Sequence, residues 1–187
     1  MPSPRLLIEL PPWVDPFIDW RRQYPRIEDR MALVIGVGHE QVRRATGGPF
    51  AAAVFERDTG ALVAVGVNLA VPSHNCVLHA EVVALMMAGV HLHSHTLGAE
   101  GMAPHELVSS CEPCAMCLGA TFWSGAVRLV TGATKADAEA IGYDEGPVFP
   151  ESYAYLERNG IEVVRGVCRE EARVLFAEYQ AAGGVIY

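Results

Sequence analysis

Two short motifs constrain this chain more than anything else in it: His79-Ala80-Glu81, and Ser110-Cys111-Glu112-Pro113-Cys114-Ala115-Met116-Cys117. Cysteines at i and i+3 project from one face of a helix, as two ligands of one metal must. Pro113 suits the first helical position, where a missing N–H has no intrahelical partner to lose. Cys114 and Cys117 then fall in the first turn, where the helix dipole favours thiolate. Two thiolates need further partners to complete a tetrahedral zinc site, and His79 supplies the third. A fourth position left to water makes such a site catalytic rather than structural.

Mid-helix, His79 and Glu81 would point apart. At a helix start, first-turn side chains both lean over the end. The expected arrangement is therefore two helix tips facing each other with Zn2+ between them. Glu81 is then a non-ligand carboxylate beside the water, placed to take its proton and hand it on. The bland alternatives are a structural zinc clip or a redox C-x-x-C. A structural site wants a fourth protein ligand at similar spacing, and none is evident.

The chain of 187 residues, 51% of them hydrophobic, has the length and composition expected of one globular domain over residues 1–187. Within it, residues 1–25 read as an N-terminal arm and 183–187 as a C-terminal tail. No apolar run is long enough for a membrane span. The start, with Pro2, Pro4, Glu9, Pro11 and Pro12, does not read as a signal peptide. Five cysteines, two assigned to metal, make no disulfide framework. Cys76, Cys111 and Cys168 read as free thiols in a reducing cytoplasm. A net charge of −8 argues against a large nucleic-acid footprint and favours a small substrate.

Residues 1–12 read as an irregular arm. Trp13, Phe17 and Trp20 suggest a short helix whose aromatics pack on the domain or on a partner subunit. Apolar spacing from Ile27 to Val42 marks a helix over about 26–46, stopped at Gly47-Gly48-Pro49. Strands 50–56 and 61–68 form a hairpin, with Gly60 free to take positive φ. The His79 helix presents Val82, Val83, Leu85, Met86 and Val90 as a surface for a sheet. His91, His93 and His95 read as a solvated loop rather than a second zinc tract. Strands follow at 106–110, 126–132 and 161–168, and helices at 113–123, 134–141, 150–158 and 169–181, with Thr134 as a cap. A hairpin followed by alternating helix and strand implies an α/β fold, a three-layer α/β/α sandwich over one mixed sheet.

The H-x-E and P-C-x-x-C pair resembles the signature of the zinc nucleoside and nucleobase deaminases. That resemblance implies the same architecture, the cytidine deaminase fold, with five strands and both zinc helices on one face. Further stretches resemble the guanine deaminases of this superfamily: Gly47-Gly48-Pro49-Phe50, Val67-Asn68, Cys117-Leu118-Gly119-Ala120 and Ala138 to Glu145. From the resemblance, Phe50 stacks on a purine and Asn68 bonds the base edge, its amide offering donor and acceptor. Ala80 joins the substrate-contacting set. An acidic residue of the Asp144-Glu145 loop accepts guanine N–H groups and shuttles protons, with Glu145 preferred to Asp144. Tyr187 closes the pocket, its own or that of a partner in a homodimer. The expected reaction is hydrolysis of guanine to xanthine and ammonia with Glu81 as general acid–base, with ammeline as a side substrate.

Three readings compete. The same machinery deaminates cytosine, cytidine, guanosine and transfer-RNA adenosine. A transfer-RNA editor calls for a basic channel that this acidic chain does not display. The non-enzyme alternative is a zinc-stabilised binding module, which would have no need of Glu81.

Overall fold

The computed structural model describes residues 5–187. In chain order its elements are α1 (Val14–Phe17), α2 (Ile27–Arg43), β1 (Ala51–Glu56), β2 (Leu62–Val67), α3 (Ala80–Leu92) and β3 (His105–Cys111). Then come α4 (Ala115–Ser124), β4 (Arg128–Ala133), α5 (Lys135–Glu139), α6 (Pro150–Arg158), β5 (Glu162–Val164) and α7 (Arg169–Ala181). The strands form one sheet in the order β2-β1-β3-β4-β5. β1 runs antiparallel to β2 and β3, while β3, β4 and β5 are parallel. The sheet is mixed, as the hairpin and the crossovers require.

Alternation along the strands separates two cores. Ala53 and Phe55 of β1, with Val108 and Val130, face Met31 and Val34 of α2 and Phe176 of α7. Ala52 and Val54, with Leu107 and Leu129, face Ala80 and Ala84 of α3, Leu118 of α4 and Leu156 of α6. Helices therefore cover both faces, and α3 and α4 share one. The central strand β3 is buried along its whole length. Its acidic member Glu106 is fully buried between the guanidinium groups of Arg30 and Arg128.

α3 lies very close to the sheet. Ala80, Ala84 and Ala88 recur every fourth residue and are fully buried, so a stripe of small side chains faces the strands. Gly66 of β2 completes the approach: a Cβ there would sit 2.2 Å from the Ala80 carbonyl oxygen. This corrects the expected helix face. Val83 and the alanines meet the sheet, whereas Met86 and Val90 are exposed, Val90 at 73%. Gly60 closes the β1–β2 hairpin at φ 71°, as its position required.

Three other expectations change. The segment before α2, of which residues 1–4 lie outside the described residues, packs on the domain through Trp13 as expected, but its helix is shorter. Trp13, Val14, Ile18 and Tyr24 are core residues, and Trp13 Nε1 donates to Thr46 Oγ1 at 3.1 Å. The helix there is a single turn that ends before Trp20. β5 is three residues long rather than eight, because it pairs only at the edge of β4 and the chain then turns at Gly166, φ 75°. α4 begins at Ala115 with Cys114 as its N-cap, so Pro113 precedes the helix instead of opening it. Proline holds the residue before it in an extended conformation, and Glu112 accordingly continues the line of β3.

Candidate active site

Strand register brings the site residues to one end of the sheet. Ala51 faces Val67, and the Asn68 N–H bonds the Phe50 carbonyl at 3.1 Å, so Phe50 and Asn68 stand side by side. Ala52 faces Ser109 and Cys111 faces Ala133, so β3 delivers Glu112 and Cys114 at the same end. Ligand clefts of α/β sheets lie at such ends, where loops meet helix N-termini.

His79 and Cys114 are the N-caps of α3 and α4; the His79 side chain makes no bond to its own helix, while the Cys114 sulfur is bonded by Cys117 one turn on. Both are extended there, with ψ of 156° and 172°. Each side chain is thus free to face the other helix. His79 Nδ1 and Cys114 Sγ lie 3.5 Å apart, and the donor atoms of His79, Cys114 and Cys117 all fall within 4.8 Å of one another. Bonds of about 2.3 Å to sulfur and about 2.0 Å to nitrogen, at a tetrahedral angle, separate two such donors by roughly 3.5 Å. The donor set therefore fits zinc in both chemistry and spacing.

Charge is concentrated here. The Cys117 thiol donates to Cys114 sulfur and, with His79, brings Cys114 down to about 4. The same hydrogen bond, with burial, pushes Cys117 up. One proton is shared between two sulfurs that a divalent cation would hold as thiolates. The Glu81 carboxyl is raised by complete burial and then by the charge of Cys114. Glu145 rises to about 8, first by burial, then by Glu81 and Cys114.

His79, Glu81, Cys114 and Glu145 line a cavity of about 140 Å³ together with Phe50, Asn68, Glu112, Tyr143, Asp144 and Tyr187, with Cys117 buried behind them. The structure thus brings together the expected zinc ligands, both carboxylates, Phe50, Asn68 and Tyr187. Ala80 is the exception. Its side chain is packed into the core beneath α3 and does not line the cavity, because the first helical residue turns its Cβ toward the sheet.

The acidic loop separates its two members. Asp144 is exposed, and its Oδ1 accepts from Gly146 N–H at 2.9 Å. Glu145 is buried. Its carbonyl accepts the Ala115 N–H at the start of α4, 3.0 Å away, and Lys135 Nζ reaches the Gly146 carbonyl at 2.8 Å. Asn68 Oδ1 already accepts the Ala70 N–H at 3.1 Å, so what its amide has to spare is mainly donor. Tyr187 lies over its own chain's cavity. Its ring is 5.6 Å from Tyr143 and 6.5 Å from His79, and its hydroxyl bonds the Asn68 side chain.

Glu112, Tyr143 and Ser109 escaped the sequence reading. Glu112 is buried and accepts from Lys135 N–H at 2.8 Å and from Arg165 Nε at 2.6 Å. Tyr143 packs edge-on against Phe50, ring centroids 4.9 Å apart. The Ser109 hydroxyl donates to Glu81 Oε1 at 3.2 Å. Glu112 stood inside the cysteine motif, where a signal existed. Nothing in the chain's local pattern marked Ser109. His91, His93 and His95 are exposed and join no metal cluster among the described residues.

The comparisons agree with this geometry. A family model described as the cytidine and deoxycytidylate deaminase zinc-binding region matches residues 26–133. A guanine deaminase of Bacillus subtilis is 36% identical over 112 residues, 60% of this chain and 67% of its own. A solved guanine deaminase from Nitrosomonas europaea superposes with a TM-score of 0.90 at 44% identity, over 95% of this chain and 97% of that one. Another solved structure, in complex with 8-azaguanine, gives 0.91 at 43%, over 97% and 98%. With its His–Cys–Cys donor cluster, its buried glutamate and this likeness, the chain belongs to the cytidine and deoxycytidylate deaminase family, in the branch that holds these guanine deaminases.

Proposed function

We propose that the protein hydrolyses guanine to xanthine and ammonia. The observation that carries this reading is the buried Glu145 facing Glu81 across a small cavity. Guanine presents N–H donors that a second carboxylate can accept. Similarity over nearly the whole chain to guanine deaminases, one relative holding a guanine analogue, supports the same substrate.

His79, Cys114 and Cys117 would hold zinc, which would supply Lewis-acid chemistry that brings the pKa of water toward neutrality. The chain's own residues do the rest. Phe50 and Tyr187 bracket the planar base, and Asn68 donates to its edge. Glu81 takes one proton of the attacking water and delivers it to the ring nitrogen, then takes the remaining proton from the newly added hydroxyl and delivers it to the amine, which leaves as ammonia as the C–N bond breaks and the carbonyl forms. Glu145, raised toward neutrality, exchanges a proton with the purine at the same pH. Ammeline, which shares the amino-bearing half of guanine, is accepted as a side substrate. Cys76, Cys111 and Cys168, which form no disulfide, suit a reducing cytoplasm, and no helix of the described residues is long and apolar enough to cross a membrane.

We further infer a homodimer through the outer faces of α3 and α4. α4 carries no charged residue, and Met86, Val90, Met116 and Trp123 are exposed on these helices, Trp123 at 80%. Trp123 borders a groove of about 340 Å³ with Val82, Leu85 and Met86. A knob beside its own groove is what a two-fold interface needs. Sedimentation of wild type and Trp123→Asp reports on it, the variant being expected as monomer.

The deciding assay is ammonia release by the zinc-loaded protein from guanine, cytosine, cytidine, adenosine, guanosine and ammeline. Guanine should be turned over, and Glu81→Ala should abolish turnover while zinc stays bound. Turnover of cytosine or cytidine alone would sink the guanine reading. Zinc binding with no turnover of any substrate would leave a binding module.

A further inference from the structure

We propose that Ser109 is a positioning residue for Glu81, a role that rests on the deaminase reading above. Ser109 sits in β3, 1% exposed, and its hydroxyl donates to Glu81 Oε1 at 3.2 Å. Glu81 lines the cavity and Ser109 does not, so Ser109 acts on the reaction only through that carboxylate. A competing partner stands beside it. Thr131, the register neighbour of Ser109 on β4, has a buried hydroxyl with no partner among the described residues. The Ser109 hydroxyl nevertheless turns to Glu81.

The chemistry explains why such a tether matters. Glu81 is asked to move protons between a water and two nitrogen atoms of the base, so one oxygen must reach all three. A glutamate has three side-chain torsions, and the Glu81 carboxylate is held from α3 by its own backbone N–H, from α4 by the Cys117 thiol, and from the sheet by the Ser109 hydroxyl. A hydrogen bond from a rigid central strand to Oε1 reserves that oxygen and presents Oε2 to the reacting groups. Glu81 is carried by α3 and Ser109 by the sheet, so the tether also sets the height of the carboxylate above the sheet. Misplacement of a reacting group by about 1 Å costs roughly 100-fold in rate.

The test compares Ser109→Ala, Ser109→Thr and wild type for kcat, KM and zinc content. Thr keeps the hydroxyl and suits a strand. Ser109→Ala should lower kcat about 10- to 100-fold, the worth of one hydrogen bond to a charged group, with KM within about threefold and zinc unchanged. Ser109→Thr should restore most of it. A crystal structure of Ser109→Ala should show the Glu81 carboxylate in more than one rotamer, a readout that needs no turnover. Wild-type kcat in Ser109→Ala, or a single unmoved Glu81 rotamer, overturns the proposal. Should Ser109→Ala fail to fold, Ser109→Cys keeps the volume with a weaker donor, and undiminished kcat there overturns it equally. Failure of the substrate reading is separate: wild type would then release no ammonia from guanine, and the same comparison is read on the base that it does turn over.

Discussion

His79 and Cys114 hold the same position, the N-cap, in two different helices, and their donor atoms meet 3.5 Å apart. Their carbonyls accept the first bonds of their helices, from Val83 and Leu118 N–H at 2.9 Å each, so the helix starts are closed by backbone, with no need of a metal. What holds α3 and α4 is their packing on the sheet. Chelation should therefore abolish activity while leaving helix content by circular dichroism close to that of the loaded protein. Global unfolding on chelation would show that the metal carries the fold.

The two acidic residues of the 142–147 loop should separate on mutation. Glu145→Gln keeps the shape but loses the proton exchange, and kcat should fall about 100-fold or more. Asp144→Asn retains an oxygen to accept from Gly146 N–H, and activity within about threefold of wild type is expected. Steady-state kinetics on guanine decide it. The reverse ranking would move the second acid to Asp144.

Tyr187 covers the cavity through a tail pinned where the Tyr179 hydroxyl bonds the Val185 carbonyl at 2.9 Å. Removing residues 185–187 opens one wall without touching the zinc ligands. KM for guanine should rise about tenfold, the loss of one aromatic contact with the base, with zinc content unchanged. An unaltered KM would leave Tyr187 as surface packing.

Far from the site, Glu106 lies fully buried between Arg30 and Arg128. Glu106→Ala leaves the buried Arg30 guanidinium without a counter-ion, while Arg128 keeps Glu162 at 3.6 Å, and a loss of about 3 kcal/mol in unfolding free energy is expected. Urea denaturation measures it. A change under about 1 kcal/mol would mean that water reaches the pair.

Asp137 joins α5 to α7. Arg169 Nε and Nη2 donate to its two oxygens at 2.9 Å each, and Thr134 N–H and hydroxyl also donate to it. The Arg169 bonds, then those from Thr134, hold its carboxyl well below the usual range. A depressed folded-state value contributes stability above the unfolded value, near about 4, that is lost as pH falls. Asp137→Asn should cost about 1 kcal/mol at pH 7 and flatten the acid limb of a stability–pH curve. Equal acid sensitivity of wild type and variant would assign that limb to other groups.

The candidate metal-binding set His79, Cys114 and Cys117 was legible because its chemistry is local. Two thiolates one turn apart and a His two residues before a Glu need no register to be recognised. Helices with clear caps were legible for the same reason: α6 spans Pro150–Arg158 and α7 Arg169–Ala181 as expected, and Thr134 caps α5. Which face of α3 meets the sheet was misread. Hydrophobicity pointed to Met86 and Val90, but close packing against Gly66 selects the smallest side chains, the alanines.

By itself the sequence determined the His–Cys–Cys donor set, the glutamate proposed as acid–base and the alternation of strand and helix, all written in residues a few positions apart. Only the tertiary structure decided which distant residues face them. Register between β1, β2 and β3 placed Phe50 and Asn68 beside the cysteine motif and Ser109 under Glu81. The loop after α5 chose Glu145 over Asp144 by burying one and spending the other on a turn. Those choices depend on strand pairing and on which carboxylate is removed from water, and neither is a property of local sequence.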